Sequence, residues 1–277
     1  MITITDEMVK KALPHRDNTF DKRKNGKVLV IAGSDRYPTT GLIVGNAAMR
    51  AGAGLVTIAT STYARQIISS NLMEVMSISY EDNKELTRQI EIADTVAIGS
   101  GIDRTEFSKE LLEKALNYDK KLVIDADGIF LLKNFLCKIK TKDIVITPHE
   151  SEFSNLIDLS VSVISENRQI LAEDFAKKYK IKLLLKGKNT IITDGNNTFL
   201  LDKGSYKMAT GGMGDCLTGI IAAMSASGIS LLDAAISGAY IHSLTADVLS
   251  KNMYTVLASD IINNLPYVIN DIQNGVI

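Results

Sequence analysis

The chain has 277 residues, of which 45% are apolar, and its formal net charge is −1 at pH 7. This length allows one sizeable core, so we expect residues 1–277 to form a single domain. The near-neutral charge argues against nucleic acid or a membrane surface as a partner, and no apolar run approaches the roughly 20 residues of a membrane helix. The N-terminus lacks the apolar region of a signal peptide, and the two cysteines suggest neither a disulfide framework nor a metal cluster. A cytoplasmic location is expected.

Short apolar runs alternate with longer helical patterns from residue 27 onward. Segments 41–54 and 104–118, for example, carry apolar residues at helical spacing between two such runs. Strands that alternate with helices indicate an α/β fold with a mostly parallel central sheet and helices on both faces, a three-layer sandwich. The strand-like runs are KVLVIAG (27–33), LVTIAT (55–60), DTVAIGSG (94–101), KLVIDADG (121–128), DIVITPHE (143–150) and KLLLKGK (182–188).

The pattern changes after residue 186. Residues 189–202, NTIITDGNNTFLLD, predict two strands around a DGNN turn. Three helical patterns then extend to the C-terminus, and no change in composition marks a domain boundary or a separate lid domain.

Several strand-like runs end in glycine or polar residues, namely GSD, GSG, DAD, TPHE and KGK. In an open parallel sheet, ligands bind beyond the carboxyl ends of the strands. We therefore expect these strand ends to line one cleft, although each strand must end in some turn residue in any case.

Residues 208–221, MATGGMGDCLTGII, place three glycines within four residues immediately before a predicted helix. A helix N-terminus presents unpaired amide groups, and glycine allows the backbone to approach an anion closely. The stretch therefore favours phosphate binding, whereas a tight turn before a core helix is the simpler alternative.

Asp215 lies in the first turn of this helix, beside the expected anion. A carboxylate there does not help to hold phosphate, but it can accept a proton from a hydroxyl that attacks a phosphoryl group. The stretch thus suggests phosphoryl transfer to an alcohol. The chain contains no Walker P-loop, and no dinucleotide-binding glycine pattern follows its first strand-like run.

The combination of motifs resembles the ADP-dependent NAD(P)H-hydrate dehydratase family of the ribokinase-like superfamily, over roughly residues 10–270. ATGGMGD resembles the superfamily's anion-hole motif, and 27–60 resembles the family's first strand–helix–strand unit. The family order is then matched by VAIGSGI, VIDADGI, ITPHESEF, LLLKGKNT, MATGGMGDCLTG and TVLASDIINNLP. The resemblance implies a repair reaction, in which ADP phosphorylates the hydroxyl of hydrated NADH or NADPH and loss of phosphate restores the reduced ring.

The resemblance also implies roles for individual residues. Asp215 would act as the base and contact the hydrate, whose other contacts would be Thr40, Gly99, Gly101 and His149. The nucleotide would contact Lys186, Gly187, Lys188, Asn189, Thr190, Gly212 and Gly214. For Lys186 the alternative is a solvated strand end, and for His149 it is a cap at the start of the next helix.

Mg²⁺ is the implied cofactor and ADP the co-substrate. Glu152 is the metal candidate, through water, because Mg²⁺ keeps much of its hydration shell. Asp125 and Asp127 are further candidates for contact with Mg²⁺ or substrate, although a carboxylate at a helix start explains Asp127 equally well. Met213 and Ser151 depart from the family pattern, which often has Ser or Thr and Gly at these positions.

Two rival functions remain open at this point. The first is a ribokinase-like kinase of a small alcohol, such as a vitamin precursor or sugar, which would release a stable phosphoester. The second is a nucleotide-binding regulator without turnover, against which the retention of Asp215 weighs. The epimerase domain often fused to this family is not expected in the chain, which implies a separate epimerase as pathway partner, and the family tends to form homotetramers.

Overall fold

A computed structural model of the chain describes residues 1–14, 22, 24–139 and 142–276. Its centre is a ten-stranded sheet with the order β1-β10-β9-β8-β7-β6-β5-β2-β3-β4. The strands are β1 (Ile2–Thr3), β2 (Lys27–Ile31), β3 (Leu55–Thr60), β4 (Met76–Ser79), β5 (Thr95–Ile98), β6 (Lys121–Ile124), β7 (Ile144–Ile146), β8 (Lys182–Leu185), β9 (Thr190–Thr193) and β10 (Thr198–Leu201).

Most neighbouring strands run parallel. The exception within the described residues is β9, which pairs antiparallel with both β8 and β10. The predicted turn at DGNN joins β9 to β10, and Asp194 Oδ1 accepts hydrogen bonds from the amides of Asn196 and Asn197 at 2.8 and 2.7 Å. These bonds mimic a backbone turn, as Asp side chains commonly do.

Helices cover both faces of the sheet, as the alternation of patterns predicts. They are α1 (Asp6–Ala12), α2 (Thr40–Arg50), α3 (Thr62–Ile68), α4 (Asn83–Ile92), α5 (Glu106–Leu116), α6 (Asp127–Leu132), α7 (Glu150–Ile157), α8 (Val161–Glu166), α9 (Arg168–Tyr179), α10 (Met213–Ala226), α11 (Leu231–Ser250) and α12 (Ala258–Asn274). One buried cluster joins the sheet to α1, α2, α3, α10, α11 and α12, and the other joins it to helices α4 to α9.

Strand side chains alternate between these two clusters. Val28 and Val30 of β2 belong to the first cluster, whereas Leu29 and Ile31 belong to the second. Because both faces are buried, the strand sequences read as continuous apolar runs.

Close packing against α2 fixes the position of α10. A Cβ atom on Gly219 of α10 would lie only 2.2 Å from the carbonyl oxygen of Val44 in α2, so no larger residue fits there. The helices approach this closely because small residues line the contact, and the approach places the N-terminus of α10 at the carboxyl edge of the sheet. Within the described part of the chain, none of the helices combines the length and the apolar composition of a transmembrane segment.

Candidate active site

The segments that follow β2, β5, β6, β7 and β8 meet at one edge of the sheet, because these strands run parallel. They carry Thr40, Gly101, Asp125, His149 and Lys186, and the N-terminus of α10 adds Asp215. The strand ends that the sequence indicated as cleft residues thus lie together.

Asp125 and Lys186 form the buried centre of this cleft. Lys186 Nζ donates to Asp125 Oδ1 at 2.9 Å, and the Asp125 side chain is only 2% exposed. Two buried hydroxyl groups also donate to the carboxylate, from Thr147 Oγ1 at 2.9 Å and from Thr218 Oγ1 at 3.0 Å. Burial raises the pKa of Asp125, but the charge of Lys186 and these three hydrogen bonds outweigh it, so the pKa lies below its ordinary value.

Lys186 is therefore not a solvated strand end. Its pKa is raised, because the negative charges of Asp125, Glu152 and Asp215 outweigh the effect of burial. Its ammonium group lies 3.7 Å from Glu152 Oε2, and a Cβ on Gly214 in the first turn of α10 would be 3.3 Å from Lys186 Nζ. The ammonium group therefore lies close to the first turn of α10.

Asp215 is partly buried in the first turn of α10. Burial raises its pKa to about 6, and the negative charge of Asp125 adds to this shift while Lys186 opposes it. A carboxylate that titrates just below neutral pH is suited to accept a proton from an alcohol and to release it later.

His149 and Glu152 form a capping box at the start of α7. His149 Nδ1 accepts from the Glu152 amide at 3.3 Å, and Glu152 Oε2 accepts from the His149 amide at 2.8 Å. Ser151 Oγ lies 2.8 Å from the same Nδ1, so the residue that departs from the family pattern contacts this histidine. His149 Nε2 faces Glu152 Oε1 at 3.4 Å.

A cavity of about 610 Å³ opens between the turn after β8 and the N-terminus of α10. Gly212 precedes the helix with φ +85°, a conformation that favours glycine, and Gly211 has open space around it. Met213 is buried and lines the cavity floor. Of the nucleotide contacts predicted from sequence, the cavity is lined by Lys186, Gly187, Lys188, Asn189, Thr190 and Gly214.

Thr40, Gly99 and Gly101 lie on the other side of the cleft. A Cβ on Gly101 would be 2.9 Å from Thr40 Oγ1, so the loop after β5 contacts the start of α2. Gly99 packs against the backbone of Asp125, whose carbonyl oxygen a Cβ would approach to 2.0 Å. The Asp127 carboxylate instead accepts hydrogen bonds from Arg104 Nε at 2.8 Å and from the Asp103 amide at 3.1 Å.

Sequence reasoning did not single out Thr147 and Thr218, which donate to Asp125, or the buried His242. His242 of α11 lines the cavity, is 5% exposed, and its Nε2 has no hydrogen-bond partner among the described residues. Burial and the charge of Lys186 lower its pKa to about 4, so the imidazole is neutral at pH 7. The presence of a single histidine in an otherwise apolar helical segment was the sequence feature that could have indicated His242. Outside the cavity, Arg168 donates to the carbonyl oxygens of Leu185 and Lys186, a contact that no local sequence pattern indicates.

The donor groups of the cleft suit Mg²⁺ held mainly by nucleotide phosphates and water. Glu152 offers carboxylate oxygens at the cleft, but across the described residues no group of three or more His, Cys, Asp or Glu side chains could hold a metal ion. Mg²⁺ commonly binds through one or two carboxylates plus substrate phosphates, so the absence of a preformed cage is compatible with it.

A parallel sheet whose carboxyl edge faces a glycine-flanked helix N-terminus with a first-turn aspartate defines a ribokinase-like α/β protein. The family model described as NAD(P)H-hydrate dehydratase matches residues 28–267. The chain therefore belongs to the NAD(P)H-hydrate dehydratase family.

Individual relatives agree with this assignment. The chain is 31% identical to the ADP-dependent (S)-NAD(P)H-hydrate dehydratase of Lactococcus lactis, over 96% of this chain and 97% of the relative. The ADP/ATP-dependent NAD(P)H-hydrate dehydratase of Bacillus subtilis, co-crystallised with ATP and Mg²⁺, is similar in structure with a TM-score of 0.86 and 26% identity. That comparison covers 98% of each chain.

Some relatives are longer. The chain is 35% identical to the bifunctional NAD(P)H-hydrate repair enzyme of Dictyoglomus turgidum over 96% of its own length and 55% of the relative. It thus spans about half the length of such bifunctional relatives.

Proposed function

We propose that this protein is an ADP-dependent NAD(P)H-hydrate dehydratase that restores NADH and NADPH from their hydrates. The observation that carries the proposal is Asp215, a carboxyl group with a pKa of about 6 in the first turn of α10. It follows Gly214, which lines the 610 Å³ cavity, and it interacts with Ser100 in the segment after β5 that also carries Gly101. A base in this place can serve a hydroxyl on one side and a phosphate on the other.

The proposed first step is phosphoryl transfer. The hydroxyl oxygen of the hydrate bonds to the β-phosphorus of ADP as the bond between that phosphorus and the bridging oxygen breaks, which releases AMP. Asp215 accepts the hydroxyl proton, and the amides at the N-terminus of α10 stabilise the charge on the transferring phosphoryl group.

The proposed second step is elimination. The bond between the ring carbon and the phosphate oxygen breaks, phosphate departs with the electron pair, and the neighbouring ring carbon gives a proton to water as the double bond forms. Phosphate is a far better leaving group than hydroxide, which explains why a dehydration would consume a nucleotide.

We propose that the ADP phosphates lie against Lys186, Gly187, Gly212 and Gly214, with the rest of the nucleotide in the cavity. Lys188, Asn189 and Thr190 complete this wall. Mg²⁺, held through water by Glu152, would neutralise phosphate charge when bound. Because Lys186 is already paired with Asp125, its charge would act on the phosphate as part of this ion pair, close to the first turn of α10, rather than as a free side chain.

The hydrate is proposed to contact Thr40, Gly99, Gly101, His149 and Asp215. An NAD(P)H-hydrate epimerase activity is the proposed pathway partner, because bifunctional relatives are named for hydrate repair as a whole. We further propose one domain over residues 1–277, a homotetrameric assembly and a cytoplasmic location, where pyridine nucleotides are abundant.

One assay tests the activity. The protein is incubated with hydrated NADPH, Mg²⁺ and either ADP or ATP, and absorbance of the reduced ring is followed. Recovery with ADP, and much slower recovery with ATP, is expected. Absence of recovery with both nucleotides would refute the proposal, and a stable phosphoester product would favour a kinase of a small alcohol.

A further inference from the structure

The turn between β8 and β9 has an irregular backbone that must be held in shape. Gly187 has φ +137° and Asn189 has φ +58°, and positive φ is unfavourable for a residue other than glycine. The turn also forms a wall of the cavity. A conformation of this kind persists only where surrounding groups determine it.

Arg168, the first residue of α9, supplies those surrounding groups. Its Nη2 donates to the carbonyl oxygens of Leu185 and Lys186 at 3.2 Å each, and to that of Asn189 at 3.5 Å. A guanidinium group suits this task, because its planar fork can serve several acceptors at once.

The other arm of Arg168 reaches α7. Nη1 donates to Glu150 Oε1 at 2.7 Å, and Ser165 Oγ donates to Glu150 Oε2 at 2.7 Å. Arg168 and Glu150 are 17% and 26% exposed, so the ion pair is partly shielded from water. Arg168 thus ties the segment after β7, which carries the capping box of His149, to the turn after β8.

The orientation of the turn follows from peptide geometry. In a trans peptide the carbonyl of one residue and the amide of the next point in opposite directions. Because the Lys186 carbonyl faces Arg168, the Gly187 amide faces away from it. A Cβ on Gly187 would lie 2.8 Å from Arg168 Nη1, so glycine is also required for the close contact.

We propose that Arg168 is a positioning residue, which holds the turn 186–190 so that the Gly187 amide and the Lys186 side chain serve the nucleotide phosphates. The identity of the ligand as ADP rests on the proposed function. The effect of Arg168 on the conformation of the turn does not depend on the proposed function, because it can be measured in the nucleotide-free protein.

The test compares Arg168→Ala and Arg168→Lys with Arg88→Ala. Arg88 is a matched control, since it forms an exposed ion pair with Glu85 on α4, away from the cleft. Calorimetry measures ADP affinity, and hydrogen exchange measures protection of the peptide spanning 186–190 without nucleotide.

We expect Arg168→Ala to raise the Kd for ADP about tenfold or more, because several charge-assisted hydrogen bonds are lost. The Kd of Arg168→Lys for ADP should lie between those of Arg168→Ala and wild type, since lysine keeps the positive charge beside Glu150 but lacks the planar fork of donors. Exchange in 186–190 should be faster in both variants, whereas Arg88→Ala should match wild type. At saturating ADP, the kcat of the Arg168 variants should stay within a few-fold of the wild-type value. Millimolar guanidinium should partly restore the affinity of Arg168→Ala for ADP.

Arg168 variants that fold and keep both the ADP affinity and the exchange rate of wild type would overturn the inference. If Arg168→Ala fails to fold, Arg168→Lys alone decides. A wild-type protein that binds ADP but does not convert the hydrate would instead refute the proposed function, and leaves the exchange and binding data as a valid test of Arg168.

Discussion

The end of β6 and the start of α10 each place one aspartate in the same cleft. The pKa values of the two carboxyl groups are shifted in opposite directions. Asp125 is the more buried of the two, yet its pKa is lowered, whereas the pKa of Asp215 is raised to about 6. Asp125 accepts hydrogen bonds from one ammonium and two hydroxyl groups. Asp215 lies near the negative charge of Asp125. Burial raises the pKa of both carboxyl groups, but only at Asp125 do an ammonium charge and hydrogen-bond donors outweigh it, so Asp125 is a fixed anion whereas Asp215 can exchange a proton.

The largest expected effect is the loss of turnover in Asp215→Asn. Asparagine cannot accept the hydroxyl proton, so the rate of hydrate conversion should fall by about a hundredfold to ten-thousandfold. ADP affinity should be unchanged or higher, because a negative charge beside the phosphates is removed. Asp233→Asn is the control, since Asp233 is also a first-turn carboxylate, exposed and on α11. Turnover of Asp215→Asn within a few-fold of wild type would make Asp215 a helix-start residue only.

The same variant tests the raised pKa through stability. A carboxyl group whose pKa rises on folding from 3.8 to about 6 costs stability as pH rises through that interval. Above pH 6, Asp215→Asn should therefore unfold at higher urea concentration, with a gain of at most about 3 kcal/mol, which solvent screening of this partly exposed group reduces. A loss of stability would contradict the assigned direction of the pKa shift.

The second prediction concerns the fixed anion. Asp125→Asn should lower the free energy of unfolding by about 3 kcal/mol, because it leaves Lys186 without its close partner in a shielded site. Urea denaturation at pH 7 measures the change. The double variant Asp125→Asn with Lys186→Met should regain part of the loss, since both charges are then absent. Equal stability of Asp125→Asn and wild type would show that the ion pair does not hold the cleft together.

Much of the architecture could be predicted because short stretches of sequence determine the strands and turns. The run LVTIAT coincides with β3, and the DGNN turn joins β9 to β10 as expected. The two-residue strand β1 and the edge strand β4 were not predicted, because neither contains a continuous apolar run. Each of them pairs with one neighbouring strand at an edge of the sheet.

The site was predictable only in its local parts. The glycines and Asp215 are adjacent in sequence, but the partner of Lys186 lies 61 residues away at Asp125. Arg168 belongs to an ordinary helical pattern, and its contacts with the turn after β8 exist only once α9 packs beside that turn. Pairing across the sheet is a property of topology, which local patterns do not encode.

A smaller effect is expected from pH. The base must be ionised, so kcat/KM for the hydrate should fall as pH drops through about 6, the pKa of Asp215. Between pH 7 and pH 5 the decrease should be about tenfold. Circular dichroism at pH 5 would verify that the protein remains folded. A flat profile over this interval would assign the proton transfer to another group.

The smallest expected effect separates the two roles open to His149. As a helix cap, its Nδ1 accepts from the Glu152 amide, and loss of such a cap costs about 1 kcal/mol. His149→Ala should therefore lower stability by about that amount, whereas His149→Asn should not, because asparagine is an equally good N-cap.

Activity measurements on the His149→Asn variant complete the separation. The imidazole is 52% exposed and follows β7 at the cleft edge, so we expect it to contact the hydrate as well. His149→Asn should then raise the KM for the hydrate several-fold while the melting temperature and the ADP affinity stay at wild-type values. An unchanged KM in His149→Asn would leave His149 with the capping role alone, and the hydrate contacts would then fall to the loops of Thr40 and Gly101. A raised KM would place the hydrate beside α7, across the cleft from those loops and within reach of Asp215.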